Sequence, residues 1–80
     1  MRCLVVYDIS DDKLRTKVAD ICMDYGLDRI QYSAFIGRLA HSHVEELTLK
    51  IRRRIGKATD TKVQIFCICE KDWEEHIDLP

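Results

Sequence analysis

The segment VVYDISDD at residues 5–12 contains the side chains best suited to chemistry. It places Asp8 at the end of an apolar, strand-forming run, with Asp11 and Asp12 close behind. Carboxylates are the ligands that a hard cation such as Mg²⁺ prefers, and Mg²⁺ can activate water and neutralise charge at a phosphodiester. One copy of the chain offers few such ligands, but a two-fold axis near Asp8 would double them. The competing interpretation is structural: Asp8 ends a strand and the following acids cap a helix.

A basic block, KIRRRIGK at residues 50–57, is the second group of interest. Ile51 and Ile55 point inward on a helix, so the basic side chains spread over its exposed and flanking faces. Such a surface suits a phosphate backbone, which is recognised by charge and not by sequence; a solvated helix surface is the alternative. The predicted nucleic-acid-binding residues of the block are Lys50, Arg52, Arg53, Arg54 and Lys57. Lys13, Arg15 and Lys17 form a second, weaker basic surface on the first helix, and Lys13 and Arg15 are also predicted to bind nucleic acid.

Hydrophobic periodicity predicts the strands that must position these residues. Residues 2–8 form a strand that is apolar on both faces and therefore central in its sheet. Residues 61–69 form the last clear strand, with its apolar residues alternating. Between them, residues 29–39 alternate as either one bent strand or two short strands folded near Ser33, and the pattern does not decide between these.

Two helices separate the strands. Ser10 is the predicted cap of the first helix and Gly26 its stop. Ser42 and Glu45 have the spacing of a capping box that opens the second helix, and Gly56 ends it. The order predicts an α/β (α+β) fold of ferredoxin-like type, a βαββαβ sandwich with an antiparallel sheet and two helices on one face.

The charges divide the chain into a body and a tail. Residues 1–69, the predicted ferredoxin-like domain, carry 12 basic and 9 acidic side chains, a net charge of +3. Residues 70–78 carry five acidic side chains and one lysine, a net charge of −4. Trp73 and Ile77 are apolar anchors within this acidic end. We therefore expect the tail, residues 70–80, to dock on a partner, with these two side chains in a dimer interface.

Length and composition limit the remaining possibilities. A chain of 80 residues forms one domain and buries only about 60% of the surface that its unfolded form exposes, so a homodimer is a source of further burial. The sequence shows no signal peptide and no run long enough to span a membrane, which predicts a cytoplasmic protein. The four cysteines form no C-x-x-C pair. We expect reduced thiols that pack as small hydrophobes, with metal or redox use as the alternative.

Two linked motifs resemble the CRISPR-associated protein two family. The first is VVYDISDDKLRTKVADI, in which a strand ends in Y-D-I and is followed by D-D and Arg15. The second is YGLDRIQYSAFIGRL, with the family pattern Y-G, then R-x-Q-x-S-x-F and a nearby glycine. The residues of this chain that match the second pattern are Tyr25, Gly26, Arg29, Gln31, Ser33, Phe35 and Gly37. The resemblance covers about half of the chain closely, and the final IDLP departs from it because family members commonly end in a further short strand.

The resemblance implies a ferredoxin-like fold, an obligate homodimer and a role for Asp8 as the metal-binding and catalytic residue facing its symmetry mate. It implies Mg²⁺-dependent cleavage of single-stranded RNA or double-stranded DNA. It also implies a central role in spacer acquisition, in which the dimer bridges two CRISPR integrase dimers and holds protospacer DNA. In that role the chemistry at Asp8 can be dispensable.

Two other function classes remain as alternatives. One is a stand-alone, metal-dependent, toxin-like ribonuclease, because a virulence-associated ribonuclease family shares this fold. The other is a ferredoxin-like small-molecule regulatory module, which the basic helix, the strand-end Asp8 and the lack of a glycine-rich ligand loop disfavour. The fold alone does not separate these classes.

Overall fold

A four-stranded antiparallel sheet carries two long helices on one face, in a computed structural model that describes residues 1–80. The elements are β1 (Arg2–Ile9), α1 (Asp12–Asp24), β2 (Asp28–Gln31), β3 (Ala34–Arg38), α2 (His41–Ile55), β4 (Thr61–Ile68) and α3 (Glu70–Glu74). The strand order is β2-β3-β1-β4. This arrangement confirms the predicted ferredoxin-like fold. None of the helices is long and apolar enough to cross a membrane.

The segment that alternation left undecided forms two strands. β2 and β3 pair as a hairpin whose strands meet at Gln31 and Ala34, with Tyr32 and Ser33 in the turn. The register shifts between Arg29 and Gln31, and such a bulge increases the local twist. Of the two alternatives, the split hairpin is therefore the correct one.

β1 is a central strand, and its alternation gives the sheet two different faces. Its odd-numbered residues, from Cys3 to Ile9, are buried. They form one core with the buried stripes of the two helices, which are Val18, Ala19 and Cys22 from α1 and Val44, Leu47 and Ile51 from α2. The even-numbered residues, from Arg2 to Asp8, point to the opposite face.

That opposite face is apolar and neither α1 nor α2 covers it. Leu4 lies between Ile36 of β3 and Phe66 of β4, and Val6 pairs with Ala34. None of these five side chains belongs to the core under the helices. Ala34 and Ile36 are buried, Leu4 and Val6 are half-buried, and Phe66 is 46% exposed. We call this surface the bare sheet face.

α3 crosses one end of the bare sheet face and is held there by charge. Glu70 pairs with Nε of Arg2 at 3.4 Å and with Nη2 of Arg38 at 3.2 Å. The Arg2 guanidinium also lies 5.2 Å from the ring centroid of Trp73, and Trp73 stacks on His76 at 3.9 Å. The chain beyond α3 forms no strand.

The first helix begins one residue later than predicted. Asp11, not Ser10, is the N-cap, and its Oδ1 accepts a hydrogen bond from the Leu14 amide at 2.8 Å. Ser10 instead directs its hydroxyl to the carbonyl oxygen of Asp60 at 3.5 Å. The prediction for Ser10 was wrong because a better-placed carboxylate follows it directly.

The second helix also begins differently. Ala40 is the N-cap and offers no side-chain hydrogen bond, so Ser42 lies inside the first turn and the predicted capping box with Glu45 does not form. Leu39 and Val44 are both buried in the core. They occupy the two positions of a hydrophobic staple around this cap, so apolar packing sets the start of α2.

Both predicted helix stops are confirmed. Gly26 follows α1 with φ +78° and Gly56 is the C-cap of α2 with φ +54°. These are backbone conformations that a Cβ disfavours.

The assignment of the caps can be tested through stability. We expect Asp11→Ala to lower the free energy of unfolding by about 1 kcal/mol, because an orphan amide loses its acceptor. Ser10→Ala and Ser42→Ala should each change it by less than about 0.5 kcal/mol. Urea denaturation at one protein concentration measures all three variants. An equal loss in Ser42→Ala would mean that the capping box forms after all.

Candidate functional site

Asp8 lies at the end of β1 on the same side of the sheet as the bare sheet face. Its position on the strand is even-numbered, and the Asp8 residue is exposed. Lys62 on β4 is its cross-strand partner in the backbone register. No side-chain hydrogen bond or ion pair within the chain engages its carboxylate. Asp8 is thus available to a ligand or to a second copy of the chain.

The other acids of the segment have structural roles. Asp11 caps α1. Asp12 accepts a hydrogen bond from the Arg15 guanidinium, whose other nitrogen donates to the Ile9 carbonyl oxygen at 2.9 Å. The structural interpretation therefore holds for Asp11 and Asp12, and it leaves Asp8 as the one free carboxylate of this strand end.

A single chain does not assemble a metal-binding cluster. No group of three or more His, Cys, Asp or Glu side chains lies close enough together to hold a metal ion. The donor chemistry of Asp8 nevertheless fits Mg²⁺, which commonly keeps several waters and binds through one or two carboxylates plus substrate phosphates. A complete site needs a ligand from outside this chain.

A groove of about 290 Å³ near the start of α1 contains two arginines and two tyrosines. The guanidiniums of Arg15 and Arg29 lie 5.6 and 6.0 Å from the Tyr32 ring centroid. The Tyr7 hydroxyl is buried in this region without a hydrogen-bond partner. Burial raises the pKa of Tyr7 above its ordinary value, while the Arg29 guanidinium acts in the opposite direction. We call this the arginine groove.

Neither Arg29 nor Tyr32 was predicted as a site residue from the sequence. The hairpin brings them together: Arg29 on β2 and Tyr32 in the turn meet Arg15 of α1. Tyr7 and Asp8 are neighbours on β1, so their side chains point to opposite faces of the sheet. The arginine groove and the Asp8 carboxylate therefore do not form one pocket within a chain.

The structure divides the basic residues predicted to bind nucleic acid. Lys50, Arg53 and Arg54 of α2 join Lys17 of α1 around a groove of about 450 Å³ between the two helices. We call this the interhelical groove; Asp20 and Asp24 also line it.

The remaining basic residues lie elsewhere. Arg52 faces a cleft between α2 and β4, and Lys57 is exposed in the turn after α2. Lys13 is exposed on α1, whereas Arg15 is held by Asp12 and Ile9. The two predicted basic surfaces thus approach each other only through Lys17.

The two residues predicted for a dimer interface differ in their surroundings. Trp73 is half-buried and already contacts Arg2 and His76 within its own chain. Ile77 is 81% exposed. Trp73 lies near Arg2. Arg2 and Asp8 are at opposite ends of β1, about 20 Å apart along the strand at ~3.3 Å per residue.

Comparisons with known proteins define the class of the chain. The family profile described as "CRISPR associated protein Cas2" matches residues 1–76. A Chloroflexus aurantiacus protein named "CRISPR-associated endoribonuclease Cas2 2" is 49% identical over 75 residues, which cover 94% of this chain and 87% of that protein. The crystal structure of Streptococcus pyogenes Cas2 superposes with a TM-score of 0.83 at 22% identity, covering 100% of this chain and 99% of the other. The chain belongs to the Cas2 family of CRISPR-associated proteins.

One relative is a fusion protein. A Thermoproteus tenax protein named "CRISPR-associated endonuclease Cas1/endonuclease Cas2 fusion" is 38% identical over 80 residues, which cover all of this chain and 30% of that protein. In that protein the Cas2-like portion is therefore joined covalently to a Cas1 portion.

Proposed function

We propose that the chain functions in CRISPR spacer acquisition as a homodimer that bridges two integrase dimers and binds protospacer DNA. A Mg²⁺-dependent nuclease centre at Asp8 is a second, separable activity. The observation that carries the proposal is the unpaired Asp8 carboxylate beside an uncovered apolar sheet face. That combination is incomplete in one chain and becomes complete when two copies meet.

The bare sheet face supports the homodimer. Leu4, Val6 and Phe66 are apolar, and Phe66 is 46% exposed in the single chain. Stacking two such faces would remove this surface from water at a gain of about 25 cal/mol per Å². The same arrangement allows an approximate two-fold axis to bring the two Asp8 side chains toward each other, which would supply a second carboxylate ligand for Mg²⁺.

The integrase partner is supported by the fused relative. Because that relative contains both portions in one chain, a Cas2 domain and a Cas1 domain function at close range there. We assign the same kind of partner to this chain. The acidic tail, residues 70–80, is the surface that we propose for contact with the integrase or the second protomer.

The interhelical groove is the surface that we propose for duplex DNA. Four cationic side chains line it, against two carboxylates. It lies on the helical side of the sheet, so stacking of two bare sheet faces would leave both grooves accessible. Phosphate contacts by such side chains hold a duplex without reading its sequence.

The nuclease candidate has its own support. Relatives that match most of this chain are named endoribonucleases, and the Asp8 carboxylate is free to bind a cation. When bound, Mg²⁺ supplies charge neutralisation at a phosphodiester and a more acidic water. In this proposal Asp8 of each protomer would hold the ion, while Arg15 and Arg29, on the opposite face of the sheet, would contact only phosphates that lie outside this centre. The proposed nuclease centre has both RNA and DNA as substrates.

The dimer is tested by placing charge on the bare sheet face. We expect Phe66→Glu to give monomers in sedimentation velocity, because a carboxylate would be buried without a partner. Met23→Glu is the matched control, since Met23 is 51% exposed on α1 and should leave the dimer intact. Ile77→Glu tests the tail, and we expect it to weaken the dimer. A Phe66→Glu chain that remains dimeric would exclude this face as the interface.

The duplex surface is tested by the salt dependence of binding. Replacing Lys50, Arg53 and Arg54 with Ala should flatten the log–log salt slope by about 0.9 for each phosphate that is no longer neutralised, about 2.7 in total. Replacing Arg52 and Lys57, which lie outside the interhelical groove, is the control and should change the slope much less. Equal slope changes per residue in both variants would mean that the whole of α2, and not the groove, contacts DNA.

Asp8→Asn separates scaffold from nuclease. We expect Mg²⁺-dependent cleavage to be lost, because an amide is a poorer ligand than a carboxylate for a hard cation. Spacer acquisition in cells should be kept, because the bare sheet face and the interhelical groove are unchanged. Glu46→Gln, which removes another exposed carboxylate outside both grooves, should retain both activities. Loss of acquisition in a dimeric, integrase-binding Asp8→Asn protein would contradict the scaffold role, and cleavage at the wild-type rate would remove Asp8 from the catalytic site.

A further inference from the structure

Two of the four cysteines lie directly opposite each other on neighbouring strands. β1 and β4 pair with Cys3 facing Cys67 in the backbone register. Both residues occupy odd-numbered positions, which on these two strands direct Val5 and Ile65 toward the helices. The two thiols therefore project from the same face of the sheet. Neither is part of a disulfide in this structure.

The hydrogen bonding of β1 sets the spacing of this pair. The Tyr7 amide donates to the Ser33 carbonyl oxygen at 3.0 Å, on the β3 side. Because successive residues of a strand direct their backbone polar groups to alternate sides, Cys3 also bonds toward β3, and Cys3–Cys67 is a non-hydrogen-bonded pair toward β4. The Cα atoms of such a pair lie about 4.5 Å apart, at the close end of the ~4.4–6.8 Å range of disulfides.

The two thiols differ in access to solvent. Cys67 is exposed on the edge strand β4, whereas Cys3 is fully buried. Burial, with the nearby Cys67 thiol as a second cause, raises the pKa of Cys3 to about 11. Cys22 of α1 is the other buried neighbour of Cys3, and burial raises its pKa to about 12. Cys67 is thus the thiol that an external reagent reaches first.

The edge strand is loosely covered on this face. Val63 and Ile65 are only half-buried, and a cleft of about 190 Å³ separates β4 from Ile51 and Ile55 of α2. A bond between β4 and the central strand β1 would therefore fasten an edge strand that the helices cover only in part.

We propose that Cys3 and Cys67 form a reversible cross-strand disulfide, an oxidative modification site at which a small-molecule disulfide is the oxidant. The Cys67 thiolate attacks one sulfur of the oxidant, forms a mixed disulfide and expels one thiolate. Cys3 then loses its proton to water, attacks the Cys67 sulfur and expels the second thiolate. Two protein thiols are oxidised and one external disulfide is reduced to two thiols; excess external thiol reverses both steps.

The modification has a measurable effect on stability. The bond closes a loop that contains nearly the whole chain, and cross-linking distant residues restricts the unfolded state most strongly. For a domain of this size we expect the oxidised chain to melt at least ~10 °C above the reduced one. The second exchange step needs the Cys3 thiolate, so disulfide formation should accelerate as pH rises from about 7 to about 9.

Incubation of the full chain with oxidised glutathione, followed by thiol titration and peptide mapping under non-reducing conditions, tests the proposal. We expect the free thiols to fall from four to two per chain, with one intrachain Cys3–Cys67 link. The rise in Tm should disappear on addition of dithiothreitol.

Two exposed-cysteine variants sharpen the test. Cys67→Ser should abolish the link and the rise in Tm, and Cys69→Ser, two residues further on, should retain both. Because Cys67 is exposed, its replacement keeps the core intact. A Cys67–Cys69 link, an interchain link, a Cys3–Cys22 link or a persistent glutathione adduct at Cys67 would each overturn the proposal.

Discussion

The pleat of β1 is the constraint on which the rest of the structure depends. As a central strand it has neighbours on both sides, so its register with β3 and β4 is set along its length. A shift of one residue would exchange the two faces. It would bring Asp8 under the helices and expose Tyr7. The position of the candidate catalytic carboxylate is therefore a consequence of the burial of Cys3, Val5 and Tyr7.

The same pleat places the Asp8 carboxylate and the basic grooves on opposite faces of the sheet, so they do not act together in one site. Asp8 belongs to the bare sheet face, whereas the arginine groove and the interhelical groove open on the helical side. In the proposed dimer the two sheets would form the interior and the helices the exterior. Nucleic acid held on the exterior can then be positioned independently of what happens at Asp8, which gives a physical basis for separating scaffold from nuclease.

Much of this architecture could be predicted from the sequence. The period-2 and helical patterns indicated the element order, and Gly26 and Gly56 marked both helix ends correctly. The errors concern local competition: Asp11 displaced Ser10 as a cap, and the staple of Leu39 and Val44 overrode Ser42. Side-chain spacing along one segment does not reveal which of several suitable caps tertiary packing will favour.

The candidate site was only partly predictable for a different reason. Asp8 could be found because a carboxylate at the end of a buried strand is chemically conspicuous. Arg29 and Tyr32 could not, because their meeting with Arg15 depends on the hairpin turn and its bulge, which alternation alone left open. Likewise, only the packing of α1 against α2 shows that Arg52 and Arg53 face different surroundings.

The strand order also has a consequence for how the chain acquires its fold. β1 is synthesised first, yet one of its two partners is β4, which is completed only at Ile68. Contacts between such distant segments form slowly, because the entropy of closing the long loop is lost before the contacts stabilise the chain. During translation, the β4 side of β1 therefore remains an unpaired edge until the residues of β4, up to Ile68, have left the ribosome. An apolar strand edge that can pair with other chains is thus exposed while the segments between β1 and β4 are being synthesised.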